Sequence, residues 1–352
     1  RNSLAHFEAT ELDPARGLFR GPACYGDGVA AYPDRYARCD GSSSILDWPA
    51  ANPGLVSKPG YGIPMHALST NCLYVEAYRL AGAMAAELGM PADPGWAGKA
   101  AALKAAINAV FWNPESGCYR YLVDDFGGCE HQEGLGHAFA LLFGIADEAQ
   151  AQSVLEHQPV MAAGIPCVWP TFKRYAWQRD WTFGRHSGTV WPHIQGFWAT
   201  AALARGRPDR FTFELLRLAE HAERDAHFAE IYHPIGGESY GGLQEDRAQG
   251  MHLWSSCRRQ TWSATAYLRM VLMGLVGMAL EPEGVRFAPY LPEGVGPLRL
   301  SGLRYRRMVL DVRVEGQGGK LVDCRVNGRE GEPRLSADGE GPRRVDMRVG
   351  PG

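Results

Sequence analysis

The stretch FAEIYHPIGGESYGGLQED, residues 228–246, is a glycine-rich loop between two helical patterns. Loops of this length without secondary structure are uncommon in a folded domain unless they are functional or disordered. Aromatic and apolar residues are spread through this one, which argues against disorder. The loop carries four carboxylates and two tyrosines. We therefore expect an ordered, functional loop that is held by the helices on either side.

Helical patterns flank this loop and recur through most of the chain. The first of them has an apolar stripe with the i, i+3, i+4 spacing that faces a core, formed by Leu73, Ala77, Leu80, Ala81, Met84 and Leu88. Helix hairpins alternate with long loops, which predicts a mainly α fold, an α-helical toroid. The predicted helices cover residues 64–90, 96–112, 133–144, 147–157, 188–205, 209–226 and 260–279.

The end of the chain has a different pattern. Residues 308–314 and 321–326 alternate apolar and polar side chains with period two, and Asn327-Gly328 is a turn signal. These features predict a small antiparallel β domain at 282–352, after a helical domain at 1–281. The last twenty residues are polar and rich in glycine and proline, so we expect them to be mobile.

Composition excludes several classes of protein. The net charge of −3 argues against a nucleic-acid binder with a basic surface, and no apolar run of about 18 residues predicts a membrane span. The eight cysteines form no CxxC pair, and His186 and His193 have no clear third ligand, so we expect no metal site. We also expect no cofactor. Scattered cysteines and the lack of a signal-peptide pattern favour a reduced, cytoplasmic protein.

A first chemical cluster is SSSILDWP, residues 42–49. A carboxylic acid beside an indole and a proline is expected to be partly desolvated, which raises its pKa and suits Asp47 to act as a general acid. Trp48 would then be a stacking platform for a sugar. The alternative is that Asp47 only caps a turn before a proline.

A second cluster is RHSGTVWPHIQGFW, residues 185–198, which enters a helix at a Trp-Pro turn. Trp191 is a candidate sugar platform. The alternative is a helix start with proline in its first turn and a buried tryptophan. The candidate hydroxyl partners are Arg185, His186, His193 and Gln195.

A third cluster follows the opening loop. Trp254 precedes RRQTWSA, residues 258–264, where Thr261 or Ser263 is placed to cap the last long helix. The two arginines are candidates to hold the loop carboxylates or a substrate. The alternative for these charges is a solvated, salt-bridged surface.

Short motifs follow one order along residues 40–280. After the Asp47 loop come Leu68-Ser-Thr-Asn71, Phe111-Trp112, Gly117-Cys-Tyr119, Gly188-Thr-Val-Trp191-Pro192, Glu230-Ile-Tyr232 and Trp262-Ser263. The ordered set resembles the six-hairpin (α/α)6-barrel glycoside hydrolases, especially the trehalase, processing α-glucosidase and mannosylglycerate hydrolase group. Residues 282–352 resemble the small sheet domain that many of these enzymes carry after the barrel.

The resemblance implies inverting hydrolysis of a glycosidic bond, exo-acting on an α-linked sugar, with carbohydrate as the partner. By position, Asp47 would be the general acid and Glu230 the general base. Asp27 is a rival acid, and Glu238 and Glu245 are rival bases. The residues expected to contact the sugar are Asp27, Trp48, Arg185, His186, Trp191, His193, Gln195, Tyr232, Glu238, Glu245, Trp254 and Trp262.

The sequence is also compatible with two other functions. One is a glycoside phosphorylase, with Arg185, His186, Arg258 and Arg259 as phosphate ligands. The other is a non-catalytic carbohydrate-binding or truncated chain. A full ring has twelve helices and the sequence predicts about seven, so the resemblance also implies that a preceding segment or another chain completes the barrel.

Overall fold

The computed structural model of the protein describes residues 2–37, 44–52, 63–91, 95–176, 182–246 and 250–352. Strands account for 29% and helices for 38% of the described residues, so this part of the fold is mixed rather than mainly α. A π-helical segment, Met270–Leu275, continues the last helix. The helices in these ranges are α1 (Asn2–Thr10), α2 (Trp48–Ala51), α3 (Leu68–Glu87), α4 (Gly95–Phe111), α5 (Gly134–Leu142), α6 (Glu148–His157), α7 (Pro192–Ala204), α8 (Pro208–Asp225) and α9 (Thr261–Arg269).

Seven of these helices form paired layers. Helix α3 packs against α5, α5 against α7 and α7 against α9, so these four make a continuous row. Helix α4 packs on α3, α6 on α5 and α8 on α7, as expected for successive hairpins. The predicted hairpins are therefore present, while closure of the row into a toroid stays a prediction. None of the described helices combines the length and apolar character needed to cross a membrane.

The apolar stripe on α3 faces solvent. Leu73, Leu80, Met84 and Leu88 are all exposed, whereas Val75 on another face of the same helix is buried. The predicted core-facing orientation is therefore wrong for these four residues, while Ala81 of the predicted stripe packs against the core. Helical periodicity identifies a stripe of apolar residues, but it does not show whether a neighbour covers that stripe.

The exposure of this stripe can be tested by stability. We expect the double substitution Leu80→Gln and Met84→Gln to change the free energy of unfolding of this chain by less than about 0.5 kcal/mol, as for other surface positions. The matched control is Ile107→Ala in α4, where a fully buried side chain is removed and the expected cost is about 2–5 kcal/mol. Urea denaturation measures both, and a comparable cost for the double variant would contradict the orientation of α3.

Short strands lie in and between the loops that lead into the helices, and mostly longer strands follow α9. The first group is β1 (Leu12–Asp13), β2 (Leu18–Phe19), β3 (Met65–Ala67), β4 (Trp112–Asn113), β5 (Cys118–Tyr119), β6 (Leu122–Asp124), β7 (Gly127–Cys129), β8 (Gln132–Glu133), β9 (Val168–Trp169), β10 (Leu243–Asp246) and β11 (Gly250–Leu253). The second is β12 (Met278–Glu281), β13 (Gly284–Phe287), β14 (Leu298–Tyr305), β15 (Arg307–Gly316), β16 (Lys320–Val326), β17 (Arg329–Glu330), β18 (Arg334–Ser336) and β19 (Glu340–Gly350).

The strands after α9 form two sheets, with the orders β12-β13-β18 and β14-β15-β19-β16-β17. The predicted β unit is thus present, but β15 and β19 pair in parallel, so the unit is not purely antiparallel. The expectation of a mobile end is also wrong. Strand β19 lies inside the larger sheet and buries Val345, Met347 and Val349 on one face.

Two glutamates lie buried in the helical layers. Glu214 on α8 accepts hydrogen bonds from the Ile165 backbone N–H at 3.0 Å and from the Gln195 amide at 2.9 Å. Glu133 accepts the Ser69 N–H at 3.1 Å. Burial raises the pKa of each carboxyl to about 8. Both are therefore protonated in the folded protein at neutral pH.

These two carboxyls predict a stability that falls with rising pH. An unfolded glutamate loses its proton near pH 4.5, while the folded state keeps it to about pH 8. Between these values unfolding releases a proton, so the free energy of unfolding decreases by up to about 1.4 kcal/mol per pH unit for each group and levels off above pH 8. We expect Glu214→Gln to reduce this slope in urea titrations from pH 5 to 8. Glu220→Gln, on an exposed face of the same helix, is the control, and equal slopes for both variants would contradict the assignment.

Candidate active site

The start of α7 meets the start of α9. Pro192 occupies the first turn of α7, where its fixed φ suits a helix start. Gly188 has a φ of +87°, so the chain does not become helical at 188 as predicted. The rings of Trp191 and Trp262, one at each helix start, lie 5.6 Å apart. The loops that enter these helices therefore bring their side chains together.

Glu230 is fixed at this meeting point. It is 5% exposed, and both carboxylate oxygens accept hydrogen bonds from the Arg185 guanidinium at 2.9 Å. The Cys257 backbone N–H donates to Oε2 at 3.0 Å. A carboxylate has about four acceptor positions, so these three bonds leave one position unused, on Oε1. Glu230 is thus rigidly aimed with its charge compensated.

Asp27 lies beside His186, the residue that follows Arg185. Its side chain is 78% exposed, and His186 Nε2 lies 3.4 Å from Oδ1. The nearby His186 holds the pKa of Asp27 below its usual value, while burial lowers the pKa of His186 and keeps the imidazole neutral. Because Arg185 and His186 are consecutive, one dipeptide contacts both Glu230 and Asp27.

Asp47 does not have the surroundings predicted for it. Its side chain is exposed, and it makes no capping hydrogen bond to α2. Trp48 is buried, and its indole donates to the Tyr36 carbonyl at 3.1 Å, so it offers no sugar platform. The expectation of a partly desolvated Asp47 is therefore wrong for the described part of this cluster. Residues 38–43, which hold Ser42 and Ser43, lie outside the described residues.

An aromatic cavity of about 240 Å³ opens between the starts of α7 and α9. The Tyr25 ring stands edge-on to His193 at 4.5 Å and lies 6.3 Å from Trp262. Burial lowers the pKa of His193 to about 3, so this imidazole stays neutral. Neither ring nitrogen of His193 has a hydrogen-bond partner among the described residues. The cavity therefore offers aromatic edges and a neutral imidazole to a polar ligand.

Tyr25 is a candidate that the sequence analysis missed. Its φ of +61° lies in the left-handed region, which a bulky residue seldom adopts unless the surroundings enforce it. Hydrogen bonds to the residues on both sides of Tyr25 hold the backbone in this conformation. The Tyr32 hydroxyl accepts the Ala23 N–H and donates to the Gly26 carbonyl, and Ser69 Oγ accepts the Cys24 N–H. This turn positions Tyr25 and, two residues later, Asp27.

Several predicted sugar contacts have structural partners instead. Gln195 is fully buried against Glu214, and the buried Tyr232 hydroxyl accepts the Ala229 N–H. Glu245 binds Arg174 and accepts from the Tyr175 hydroxyl, so it is already occupied. These residues hold the loops in place.

The remaining candidates lie around the site. Trp191 is buried, and the His186 ring stacks on it with 4.5 Å between ring centroids. Trp191 therefore supports the site but has no open face for a sugar. Glu238 is exposed, 3.6 Å from His233. Trp254 lies in a separate cleft.

All cysteines in the described ranges are free thiols, and Cys39 lies outside those ranges.

Comparison with protein families gives a match over this region. Residues 57–263 match the family described as mannosylglycerate hydrolase MGH1-like glycoside hydrolase domain. The chain belongs to this family. The matched range includes Arg185, His186 and Glu230, and membership in the MGH1-like family confirms the resemblance to the six-hairpin glycosidase group. A comparison with curated proteins gives no match.

Solved structures similar to this MGH1-like chain are larger proteins. The GH63 mannosylglycerate hydrolase from Thermus thermophilus, in complex with Tris and D-glycerate, is 18% identical over 59% of this chain and 46% of that one, with a TM-score of 0.46. A GH78 family rhamnosidase of Bacillus sp. GL1 is 16% identical over 99% and 31% of the two chains, with a TM-score of 0.54. A sialidase is 14% identical over 94% and 29%, with a TM-score of 0.61. The chain thus spans less than half of each of these proteins, and the last two likenesses show the fold alone.

Proposed function

We propose that this chain forms the acid and base side of an inverting glycoside hydrolase site. The observation that carries the proposal is the dipeptide Arg185-His186, in which Arg185 binds the buried Glu230 carboxylate and His186 Nε2 lies 3.4 Å from the exposed Asp27 carboxylate. Family membership supports hydrolysis of a glycosidic bond as the reaction class. Two carboxylates in distinct environments are what such a reaction requires.

Glu230 is the proposed general base. A base must be ionised and aimed at one water molecule. The Arg185 guanidinium compensates the negative charge, and the Cys257 N–H fixes the orientation of the carboxylate. The unused acceptor position on Oε1 is where we place the water that attacks the anomeric carbon.

Asp27 is the proposed general acid, in preference to Asp47. Its carboxyl is open to a ligand, and the turn that carries it is fixed by Tyr32 and Ser69. Contact with His186 lowers the pKa of Asp27 in the free protein, so the proposal requires a bound sugar to exclude water from this carboxyl and raise its pKa. No described contact connects Asp47 with Glu230 or its partners, so the role of Asp47 rests on sequence position alone. The small cavity beside Tyr25 supports exo-action on a terminal sugar, and the α-linkage rests on the resemblance.

A crystal structure with bound sugar tests the geometry of this proposal. Inverting enzymes keep their two carboxyl groups roughly 6.5–9.5 Å apart to admit a water molecule, whereas retaining enzymes keep them about 5–5.5 Å apart. We expect the Asp27 and Glu230 carboxyl groups to fall in the first range. Proton NMR of the first product anomer, in phosphate-free buffer, should show inversion. Cleavage that requires phosphate would favour a phosphorylase, although Arg185 is occupied by Glu230 and is not free to bind phosphate.

We also propose that helices outside residues 1–352, from a longer protein or another chain, cover the α3 stripe. The support is the exposure of Leu73, Leu80, Met84 and Leu88 along one face. Large contiguous apolar patches on a soluble protein usually mark a contact surface. If the stripe is covered, Leu80→Gln with Met84→Gln should destabilise the longer assembly while leaving the isolated chain unchanged. Equal stability of the longer assembly with and without the substitutions would contradict this.

A further inference from the structure

A second cleft, of about 600 Å³, lies beside the segment that fixes Glu230. Gly241 and Ser256 line it, and we call it the Trp254 cleft after its largest ring. The Gly241 carbonyl accepts a hydrogen bond from the Arg185 guanidinium at 3.0 Å. The backbone N–H of Cys257, next to Ser256, donates to Glu230. The wall of the cleft is therefore the same backbone that orients the proposed base. Its volume falls within the range of small-molecule sites, about 300–1,000 Å³.

The backbone of this wall is closely packed. A Cβ at Gly241 would lie 1.6 Å from the Trp254 carbonyl oxygen, so only glycine allows the approach of the two segments. Next to it, the Trp254 N–H donates to the Gly242 carbonyl at 3.0 Å. The Tyr240 hydroxyl donates to the Phe183 carbonyl at 3.2 Å, which holds this ring in place as well. The cleft is thus preformed around two aromatic side chains.

Two hydrogen-bond donors in the Trp254 cleft are unused. Arg258 Nε donates to His227 Nε2 at 3.2 Å, so Nε2 is an acceptor and the proton of the neutral imidazole is on Nδ1. Neither His227 Nδ1 nor the Trp254 indole nitrogen has a partner among the described residues, and both atoms are closed to water in this structure. A buried donor without a partner is costly, so native structures satisfy such groups with protein, water or ligand atoms.

The cleft has two charged lining residues, Asp225 and Arg258. Asp225 is paired with Arg224, and Arg258 Nε donates to His227. These charges select neither an anion nor a cation, so the aromatic lining decides the class of ligand. A half-buried aromatic face beside two N–H donors suits a sugar ring, whose C–H surface stacks on indole and whose hydroxyl oxygens accept hydrogen bonds.

We propose that the Trp254 cleft is a second sugar-binding subsite, so that the substrate class is a glycan of at least two sugar units. This deepens the proposed function and rests on it for the link to catalysis. The terminal sugar would occupy the Tyr25 cavity, and a further unit would stack on Trp254. Its hydroxyl oxygens would accept from the Trp254 indole and from His227 Nδ1 once these two side chains rotate toward the cleft.

Binding can be measured without turnover. The Glu230→Gln protein is titrated calorimetrically with neutral α-linked glucose and mannose disaccharides and with the matching methyl monosaccharides. We expect a disaccharide to bind more tightly than its monosaccharide. Trp254→Phe keeps a ring but removes the N–H, and we expect about three- to tenfold weaker disaccharide binding from one lost hydrogen bond. We expect a similar loss for His227→Phe and a larger one for Trp254→Ala.

Trp96→Phe, at a buried position on α4, is the matched control and should leave binding unchanged. Disaccharide binding that is the same in the Trp254 and His227 variants as in the parent would overturn the subsite. So would binding no tighter than that of the monosaccharide. If the parent hydrolyses the disaccharide and the variants bind it as the parent does, the subsite is wrong and the proposed function stands. If binding depends on Trp254 but the protein with Glu230 hydrolyses nothing, the subsite stands and the proposed function is wrong.

Discussion

Replacing Glu230 by Gln should lower kcat by about 10²–10⁴-fold, the usual contribution of a general acid or base. The amide is close in shape to the carboxylate but cannot take a proton from water. It can still receive a hydrogen bond from Arg185 and from the Cys257 N–H, so the site should keep its geometry. The measurement is steady-state hydrolysis, with circular dichroism and the thermal midpoint as checks on folding.

Glu238→Gln is the matched control for this variant. Glu238 lies on the same loop and is exposed, with His233 as its neighbour. We expect near-normal turnover in this control. Near-normal turnover in Glu230→Gln would instead transfer the role of base to Glu238, because Glu245 is already bound by Arg174 and Tyr175.

Replacing Asp27 by Asn should cause the second large loss, again about 10²–10⁴-fold in kcat for a substrate with a poor leaving group. The loss follows because Asn cannot donate a proton to the departing oxygen. Asp47→Asn is the control, and we expect little change because no described contact connects Asp47 with Glu230 or its partners. A large loss in Asp47→Asn together with a small loss in Asp27→Asn would restore the assignment made from sequence order.

The role of Asp27 also predicts a shift in the pH profile. The groups that face Asp27 are His186 and Arg185, and Glu230 and His193 in turn act on His186. Contact with His186 lowers the pKa of Asp27, so His186→Phe should raise it. If Asp27 must be protonated, the limb along which kcat/KM falls with rising pH should move to higher pH in this variant. A limb that stays in place or moves down would exclude Asp27 as the acid.

Local patterns predicted the elements of this fold better than their packing. The helix hairpins and the strands 308–314 and 321–326 follow from side-chain periodicity, and all are present. The exposed stripe on α3 and the parallel pairing of β15 with β19 were not predictable in this way. Both depend on which distant segment lies alongside, and periodicity carries no information about that.

The candidate site shows the same division. Glu230 was assigned as the base from its position in the ordered motifs, and its bonds to Arg185 and Cys257 give it the fixed orientation that a base needs. The desolvation of Asp47 was inferred from neighbours in sequence, but Trp48 turns away toward Tyr36. Tyr25 had no signal beyond a Gly-x-Gly turn, since its unusual φ is imposed by the distant hydroxyl of Tyr32.

The most direct test of an Asp27 and Glu230 pair is the dependence of kcat/KM on the leaving group. A series of aryl glycosides with increasingly acidic phenols is compared in the parent protein, Asp27→Asn and Glu230→Gln. A good leaving group needs no proton from the acid but still needs an activated water molecule. We expect activity to be restored toward the parent level in Asp27→Asn and to remain low in Glu230→Gln for every phenol. Equal deficits in Asp27→Asn across the whole series, or restoration in Glu230→Gln, would contradict the assignment of acid and base.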